Sequence, residues 1–487
     1  MNTIIREIEP HILWNHFADL NAVPRPSKKE ERIVAFMLAF GKKLGLETQV
    51  DNVQNILIKK PATVGMEDRK TVVLQSHLDM VHQKNEETTF DFDKQGIQMK
   101  INEDWVCAKG TTLGADNGIG VAAMMSILSS KDIAHPPIEA LFTIDEETGM
   151  SGAKGLKADY LSGEILLNLD TEDDDEIAIG CAGGIDVTAT QDYDEIDLEN
   201  DCIAYRILIK GLQGGHSGMD IHKGFGNANK IMNRILYDCS QNNDIQLANL
   251  NGGNLRNAIP RESKSTIVLK KNTVATFENL FHTSVQNILK EFKTIEPQLT
   301  ITYKTTELPK KIMDLSIQKK FIQTIYGTLN GVYCMNTSIS NLVETSNNLA
   351  SVSVERGKIN IACLTRSFSE SGKKDLANAL KSIFELGGFR VELSGDYPGW
   401  EPNTQTKILQ IASDIYQKMF DKKANVMACH AGLECGILGK HYPKMEIISF
   451  GPTIKGAHSP DEKVNVKSTQ KFWKFLKELL KNTPKKS

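Results

Sequence analysis

Three short apolar runs in this chain each end in a dense polar cluster, and few folds accommodate that pattern. Thr71-Val-Val-Leu-Gln-Ser runs into Ser76-His77-Leu78-Asp79. Ile138-Glu-Ala-Leu-Phe-Thr-Ile runs into Asp145-Glu146-Glu147-Thr148-Gly149, and Ile165-Leu-Leu-Asn-Leu runs into Asp170. A fourth cluster, Gly110-Thr-Thr-Leu-Gly-Ala-Asp116-Asn117-Gly118, opens the apolar, helix-like run Ile119–Leu128. Short apolar strands alternating with helices predict an α/β fold whose central sheet is at least partly parallel, with helices on both faces. Ligands of such sheets bind beyond the carboxyl ends of the strands. The four clusters can therefore converge on one crevice, and Gly456-Ala-His458-Ser-Pro, after the late strand Glu446-Ile-Ile-Ser-Phe, can join them.

The texture changes after Gly180-Cys-Ala-Gly-Gly. Alternating strands (Ile203-Ala-Tyr-Arg-Ile-Leu-Ile, Thr266-Ile-Val-Leu) then mix with amphipathic helices such as Ala228–Leu236, which predicts an α+β domain ending near Pro398-Gly399 and Pro402. Helical patterns over 405–419 and 469–480 restore the α/β texture. The expected organisation is a split catalytic domain, 1–187 and 396–487, interrupted by an inserted domain at 188–395. A length of 487 residues suits two or three domains.

Composition narrows the partners. Lys plus Arg number 57 against 61 Asp plus Glu, a net charge of −4, so the basic footprint of a nucleic-acid binder is missing. No apolar stretch approaches the roughly 18 residues of a membrane span, and no apolar segment follows the charged start MNTIIREIEP as a secretory signal would require. The eight cysteines include no CxxC. That argues against a thiolate zinc site and a disulfide framework, and for a reducing, cytoplasmic setting.

The clusters hold the ligand types of a two-metal hydrolase. Zinc prefers about four imidazole and carboxylate ligands. His77, Asp116, Asp170, His458 and one of Glu146 or Glu147 are too few for two separate sites, but they suffice if one carboxylate and a water bridge. Asp116, flanked by glycines that allow close approach, is the best bridge. Asp79, two residues after His77 on the same strand face, can fix its tautomer. Glu146 and Glu147 should diverge, one ligating and the other acting as general base toward the bridging water. Taken singly, each residue has an ordinary explanation: a structural histidine, a solvated loop acid, a helix cap. The joint pattern is what points to metal.

SHLDMV (76–81), GTTLGADNGIG (110–120), DEETGMSGAKGL (145–156), NLDTE (168–172) and GAHSPDE (456–462) resemble the M20 family of dinuclear zinc peptidases. NAVPRPSKKEERI (21–33), GCAGG (180–184), GLQGGHSGMDI (211–221), GGNLRNAIPRE (252–262), CLTRS (363–367) and HAGLECG (430–436) extend the likeness, toward the bacterial Xaa-His dipeptidase branch. The resemblance implies two Zn2+ per subunit, with Co2+ or Mn2+ as substitutes. It makes Asp116 the bridge, His77 and Asp170 ligands of one ion, and Glu147 and His458 ligands of the other. Glu146 becomes the general base, Asp79 the residue that clamps His77, and the Asp116–Asn117 peptide is expected to be cis.

By the same resemblance, His216 is the lid-domain donor to the developing oxyanion, Asn257 a lid residue reaching the substrate, and Arg366 the anchor for a dipeptide's C-terminal carboxylate. Gly432 and Glu434 line the pocket on a catalytic-domain loop, and Glu434 could meet the free amino group. Some family members borrow the histidine from a partner's smaller lid. The longer insertion here favours His216 acting in its own chain, with a homodimer through other surfaces left open. The expected activity is hydrolysis of small peptides, especially Xaa-His dipeptides, by attack of a bridging hydroxide. The alternatives are a tripeptidase or N-acyl amino acid deacylase on the same scaffold, and a metal-stabilised binding protein without activity.

Overall fold

The computed structural model of the chain describes residues 2–241 and 245–486. It divides into two compact units: Met1–Gly180 with Trp400–Ala428 and Leu433–Ser487, and Cys181–Gly399 with Cys429–Gly432. The limits of the second unit fall slightly outside 188–395. The reason is that strand Gly183–Asp192 already pairs with Lys358–Ser367 in the inserted unit's own sheet.

The first unit is built on a mixed eight-stranded sheet. Its order is Glu47–Val50, Ile56–Lys60, Ile138–Thr143, Val72–His77, Ile165–Asn168, Glu446–Ser449, Glu176–Cys181, Asn425–Cys429. Val72–His77 runs parallel to both Ile138–Thr143 and Ile165–Asn168, and Glu446–Ser449 runs parallel to Ile165–Asn168. Every residue of Val72–His77 and Ile138–Thr143 is buried, as expected for strands covered on both faces. Because these strands point the same way, His77, the 145–147 turn and Asp170 leave the sheet at one edge.

Helix Ala115–Ser129 is buried along its whole length from Asn117 to Leu128, which explains its lack of a polar face. A small four-stranded sheet, Ile454–Lys455, Lys463–Asn465, Trp105–Ala108 and Met99–Asn102, joins late sequence to early. It carries the 456–462 loop to the segment that leads into Asp116.

The second unit is a nine-stranded sheet whose described pairings are all antiparallel. Helices Ala228–Ser240, Val274–Phe292, Leu315–Gly327 and Glu370–Leu386 supply its core with Met232, Phe277, Phe321 and Phe384. Tyr205, Ile207 and Ile209 alternate inward along strand Cys202–Lys210 to meet them. Among the described residues, no helix is long and apolar enough to cross a membrane. The eight cysteines carry no disulfide.

Candidate active site

His77 closes its strand with Nε2 3.2 Å from Asp116 Oδ1 and 3.5 Å from Asp170 Oδ1. His458 approaches the same aspartate: its Nε2 lies 3.2 Å from Asp116 Oδ2 and 2.9 Å from Glu147 Oε2. Asp116 therefore gives one oxygen to each histidine. Three groups of donor atoms lie mutually within 4.8 Å: His77, Asp116 and Asp170; His77, Glu146 and Glu147; Asp116, Glu147 and His458.

Local sequence explains the placement of Asp116. Gly114 takes a left-handed conformation, φ 69°, and Asp116 and Asn117 depart from helical dihedrals at the head of helix Ala115–Ser129. The peptide between them is cis, as expected. A Cβ at Gly120 would collide with Asn117, Ser76 and the Leu169 carbonyl, so glycine lets the first helical turn pack directly on the ligand-bearing strand ends. Asn117 Nδ2 donates to Leu169 O at 2.8 Å and to Asp170 Oδ1.

Asp79 is buried and fully engaged. Its Oδ1 lies 3.4 Å from His77 Nδ1 and accepts the Glu146 N–H at 3.0 Å. Its Oδ2 accepts from Ser27 Oγ at 2.8 Å and from the Glu147 N–H at 3.3 Å. His77 Nδ1 also lies 3.2 Å from the Asp79 carbonyl oxygen, so one residue steadies both a ring and the backbone of the two glutamates. Contrary to expectation, Glu146 and Glu147 do not diverge, for each brings a carboxyl oxygen within 4.8 Å of the other and of His77. The turn that presents both amides to Asp79 keeps the side chains together.

The electrostatics are those of crowded acids. Burial raises the Glu146 carboxyl well above its ordinary value, opposed by His77 and reinforced by Asp170, Glu147 and Glu434. Burial likewise raises Glu147 and Asp170. Burial would raise Asp116 too, but hydrogen bonds from His458 and His77 hold it far below the usual carboxylate range. Burial would depress His77, yet Asp170, Asp116 and Asp79 outweigh it and keep the ring well above its ordinary value. Hydrogen bonds to Asp116 and Glu147 push His458 up to about 11.

In the second unit, the His216 N–H donates to Asp220 Oδ2 at 2.7 Å, and its Nδ1 accepts from the amides of Gly218 and Met219 at 3.2 and 3.0 Å. A neutral ring with an accepting Nδ1 carries its proton on Nε2. That atom lies 3.5 Å from Arg366 Nη2, so two donors converge. Arg366 is buried within strand Lys358–Ser367, and Nη1 donates to Tyr397 Oη at 2.8 Å. Asn257 is exposed beside the His216 turn, its carbonyl accepting the Ser217 N–H at 2.8 Å. Gly432, expected on a catalytic-domain loop, is half-buried and groups with this second unit, as the short stretch Cys429–Gly432 does. Glu434 belongs instead to the first unit, heading helix Glu434–His441 rather than lying on a loop. Its Oε2 accepts from Gln75 Nε2 at 2.7 Å and Thr143 Oγ1 at 2.6 Å, while Oε1 has no hydrogen-bond partner. Burial pushes its carboxyl up to about 8.

Comparison with known sequences decides the family, since the profile of peptidase family M20/M25/M40 matches residues 73–482. The chain belongs to this peptidase family. The M20 peptidase is 42% identical over 482 residues to the cytosol non-specific dipeptidase of Escherichia coli (strain K12), covering 99% of each chain. It matches the crystal structure of aminoacylhistidine dipeptidase from Vibrio alginolyticus at a TM-score of 0.90, with 43% identity over 100% of this chain and 99% of that one. A tripeptidase from Staphylococcus aureus shares the fold at a TM-score of 0.57 and 15% identity, over 97% of this chain and 98% of that one.

The residues of the M20 peptidase's centre suit divalent cations. Imidazole and carboxylate donors of this mixture are what such ions take. Glu147 Oε1 is buried with no hydrogen-bond partner. Among the described residues, no lysine or arginine forms an ion pair with Asp116, Glu146, Glu147 or Asp170. A cation must displace the protons that the neighbouring acids hold on His77 and His458, so apparent affinity should rise with pH. Chelator-competition titrations at about pH 6 and about pH 8 should show tighter binding at the higher value, with protons released on loading. Affinity independent of pH would contradict this reading.

Three residues contacting the ligand-bearing loops, Arg25, Ser27 and Glu462, are not singled out by sequence reasoning. They sit within quoted motifs, but a charged or hydroxyl side chain in a loop ordinarily faces water.

Proposed function

We propose that this M20 peptidase is a cytoplasmic dinuclear metallo-dipeptidase, with Zn2+ as its native metal, that hydrolyses Xaa-His and other dipeptides. The observation that carries this reading is the division of Asp116 between His77 and His458. It fits one bridging carboxylate flanked by two half-sites, His77 with Asp170 and His458 with Glu147. The names of the two full-length relatives, cytosol non-specific dipeptidase and aminoacylhistidine dipeptidase, support the substrate class.

When bound, the two cations polarise the substrate carbonyl and make water a nucleophile near neutral pH. The chain's own residues handle protons and position. Glu146, whose carboxyl burial raises above its ordinary value, takes the proton of the attacking water and returns it to the leaving amine. Asp79 holds His77 in the tautomer that leaves Nε2 for ligation. His216 Nε2–H donates to the developing oxyanion, an interaction worth about 3–4 kcal/mol in comparable sites. Arg366, steadied by Tyr397, anchors the carboxylate of the C-terminal residue. Glu434 Oε1 receives the substrate ammonium, whose charge draws the raised carboxyl back to its ionised form. Asn257 and Gly432 line the substrate's path.

The test is a peptide panel assayed before and after chelation. An Xaa-His dipeptide should be cleaved, its tripeptide extension and N-acetylated analogue should be poor substrates, and chelation should abolish turnover until Zn2+ is restored. Preference for the tripeptide or the acetylated analogue would replace this reading with a tripeptidase or deacylase. No hydrolysis by the metal-loaded protein would leave a binding protein.

A further inference from the structure

Arg25 lies in Asn21-Ala-Val-Pro-Arg-Pro-Ser, a stretch that the reaction leaves without a task. Its side chain is 1% exposed. A guanidinium is costly to bury unless its donors are met. Here Nη1 donates to the carbonyls of Leu78 at 3.0 Å and Asp79 at 3.1 Å. Nη2 donates to the Gly114 carbonyl at 2.5 Å and to Asn21 Oδ1 at 3.1 Å. Leu78 and Asp79 follow His77, and Gly114 precedes Asp116. A single planar fork therefore ties the loop leaving one ligand to the loop entering the next. Glycines make room for it: a Cβ at Gly114 or Gly118 would run into Nη2.

Glu462 grips the same segment through its amides. Its Oε2 accepts the N–H groups of Leu113 at 2.7 Å and Gly114 at 2.9 Å, and its Oε1 those of Ala115 at 2.7 Å and Asp116 at 3.2 Å. It is 2% exposed and closes the loop that bears His458. Gly114 is thus held by its carbonyl from Arg25 and by its amide from Glu462. Three ligand-bearing stretches, 77–79, 113–116 and 458–462, are linked through two buried side chains of opposite charge.

We propose that Arg25 and Glu462 are positioning residues that hold Asp116 where its two oxygens can serve two cations, an inference that rests on the bridging role proposed for Asp116. Lysine at 25 keeps the charge but presents one donor point where a fork spans two loops. Glutamine at 462 keeps the shape but turns an amide NH2 toward two N–H donors.

The test compares the wild type with Arg25→Lys, Glu462→Gln, Asp116→Asn and Lys60→Met. Lys60 donates to the carbonyls of Ile127 and Ser130 at the far end of the helix that Asp116 heads, so Lys60→Met loosens that helix away from the metals. Each protein is titrated with Zn2+ against a chelating indicator, its Co2+ form is examined by visible absorption, and its melting temperature is measured. Arg25→Lys and Glu462→Gln should lose about 10–100-fold in affinity for at least one cation and alter the Co2+ bands, whereas Lys60→Met should lower the melting temperature with affinity kept within about twofold. Wild-type affinity and spectrum in both positioning variants would overturn the proposal. So would a loss of affinity in Lys60→Met that tracks its melting temperature. If Arg25→Lys fails to fold, Glu462→Gln decides by the same criteria. If Asp116→Asn keeps both cations, the bridging role falls and this inference falls with it. If only Asp116→Asn loses them, the bridging role stands and the positioning role is overturned.

Discussion

Asp116→Asn is expected to strip both metals at once. One oxygen of this carboxylate lies 3.2 Å from His77 and the other 3.2 Å from His458, one for each proposed half-site. Asparagine keeps the shape but offers one oxygen and turns an NH2 toward the other histidine. Losing a group that only hydrogen-bonds a ligand already costs metal sites about 10–100-fold, so losing the proposed shared ligand should cost more than about a hundredfold at both positions. Asp170→Asn and Glu147→Gln each touch one half-site and should weaken one cation more than the other. Metal content after dialysis, with turnover measured in parallel, separates these outcomes. One tightly held equivalent in Asp116→Asn would show that Asp116 belongs to a single site.

Glu146→Ala should behave in the opposite sense, keeping both metals and losing about 10²–10⁴-fold in turnover. The two adjacent glutamates lie close enough to be confused, and the contact that separates them is Glu147 Oε2 to His458 at 2.9 Å. A carboxylate pinned there is a poor proton acceptor, which is why the proton work is proposed for Glu146. Glu147→Ala should therefore lose the cation beside His458. Full turnover in Glu146→Ala would remove its role as base, and metal loss in Glu146→Ala with retention in Glu147→Ala would exchange the two assignments.

Much of this site is legible in the sequence because strand ends are. Buried strands read as apolar runs, and parallel neighbours deliver their ends to one edge, so His77, the 145–147 turn and Asp170 group together from sequence alone. His458 is harder to place. Its approach depends on the pairing of Lys463–Asn465 with Trp105–Ala108, a contact between distant segments that no local pattern announces. Arg25 and Glu462 are harder still, because their partners are mostly backbone carbonyls and amides, which leave no trace in side-chain identity. Arg366 fits an ordinary surface arginine by spacing, yet it is buried in a strand against Tyr397. Glu434 fits a loop acid, yet its helix begins at that residue and turns it onto Gln75 and Thr143.

The groups around Asp116 span the chain from Arg25 to Glu462, with the whole second unit encoded between Asp170 and His458. During synthesis, a ribosome that has just released Asp170 has already released His77, Asp116 and Glu147, and only His458 of the five candidate ligands is still to come. His458 waits until the whole second unit and the late strand Glu446–Ser449 have been read. Completion of the site proposed around Asp116 is therefore a late event in the life of the polypeptide.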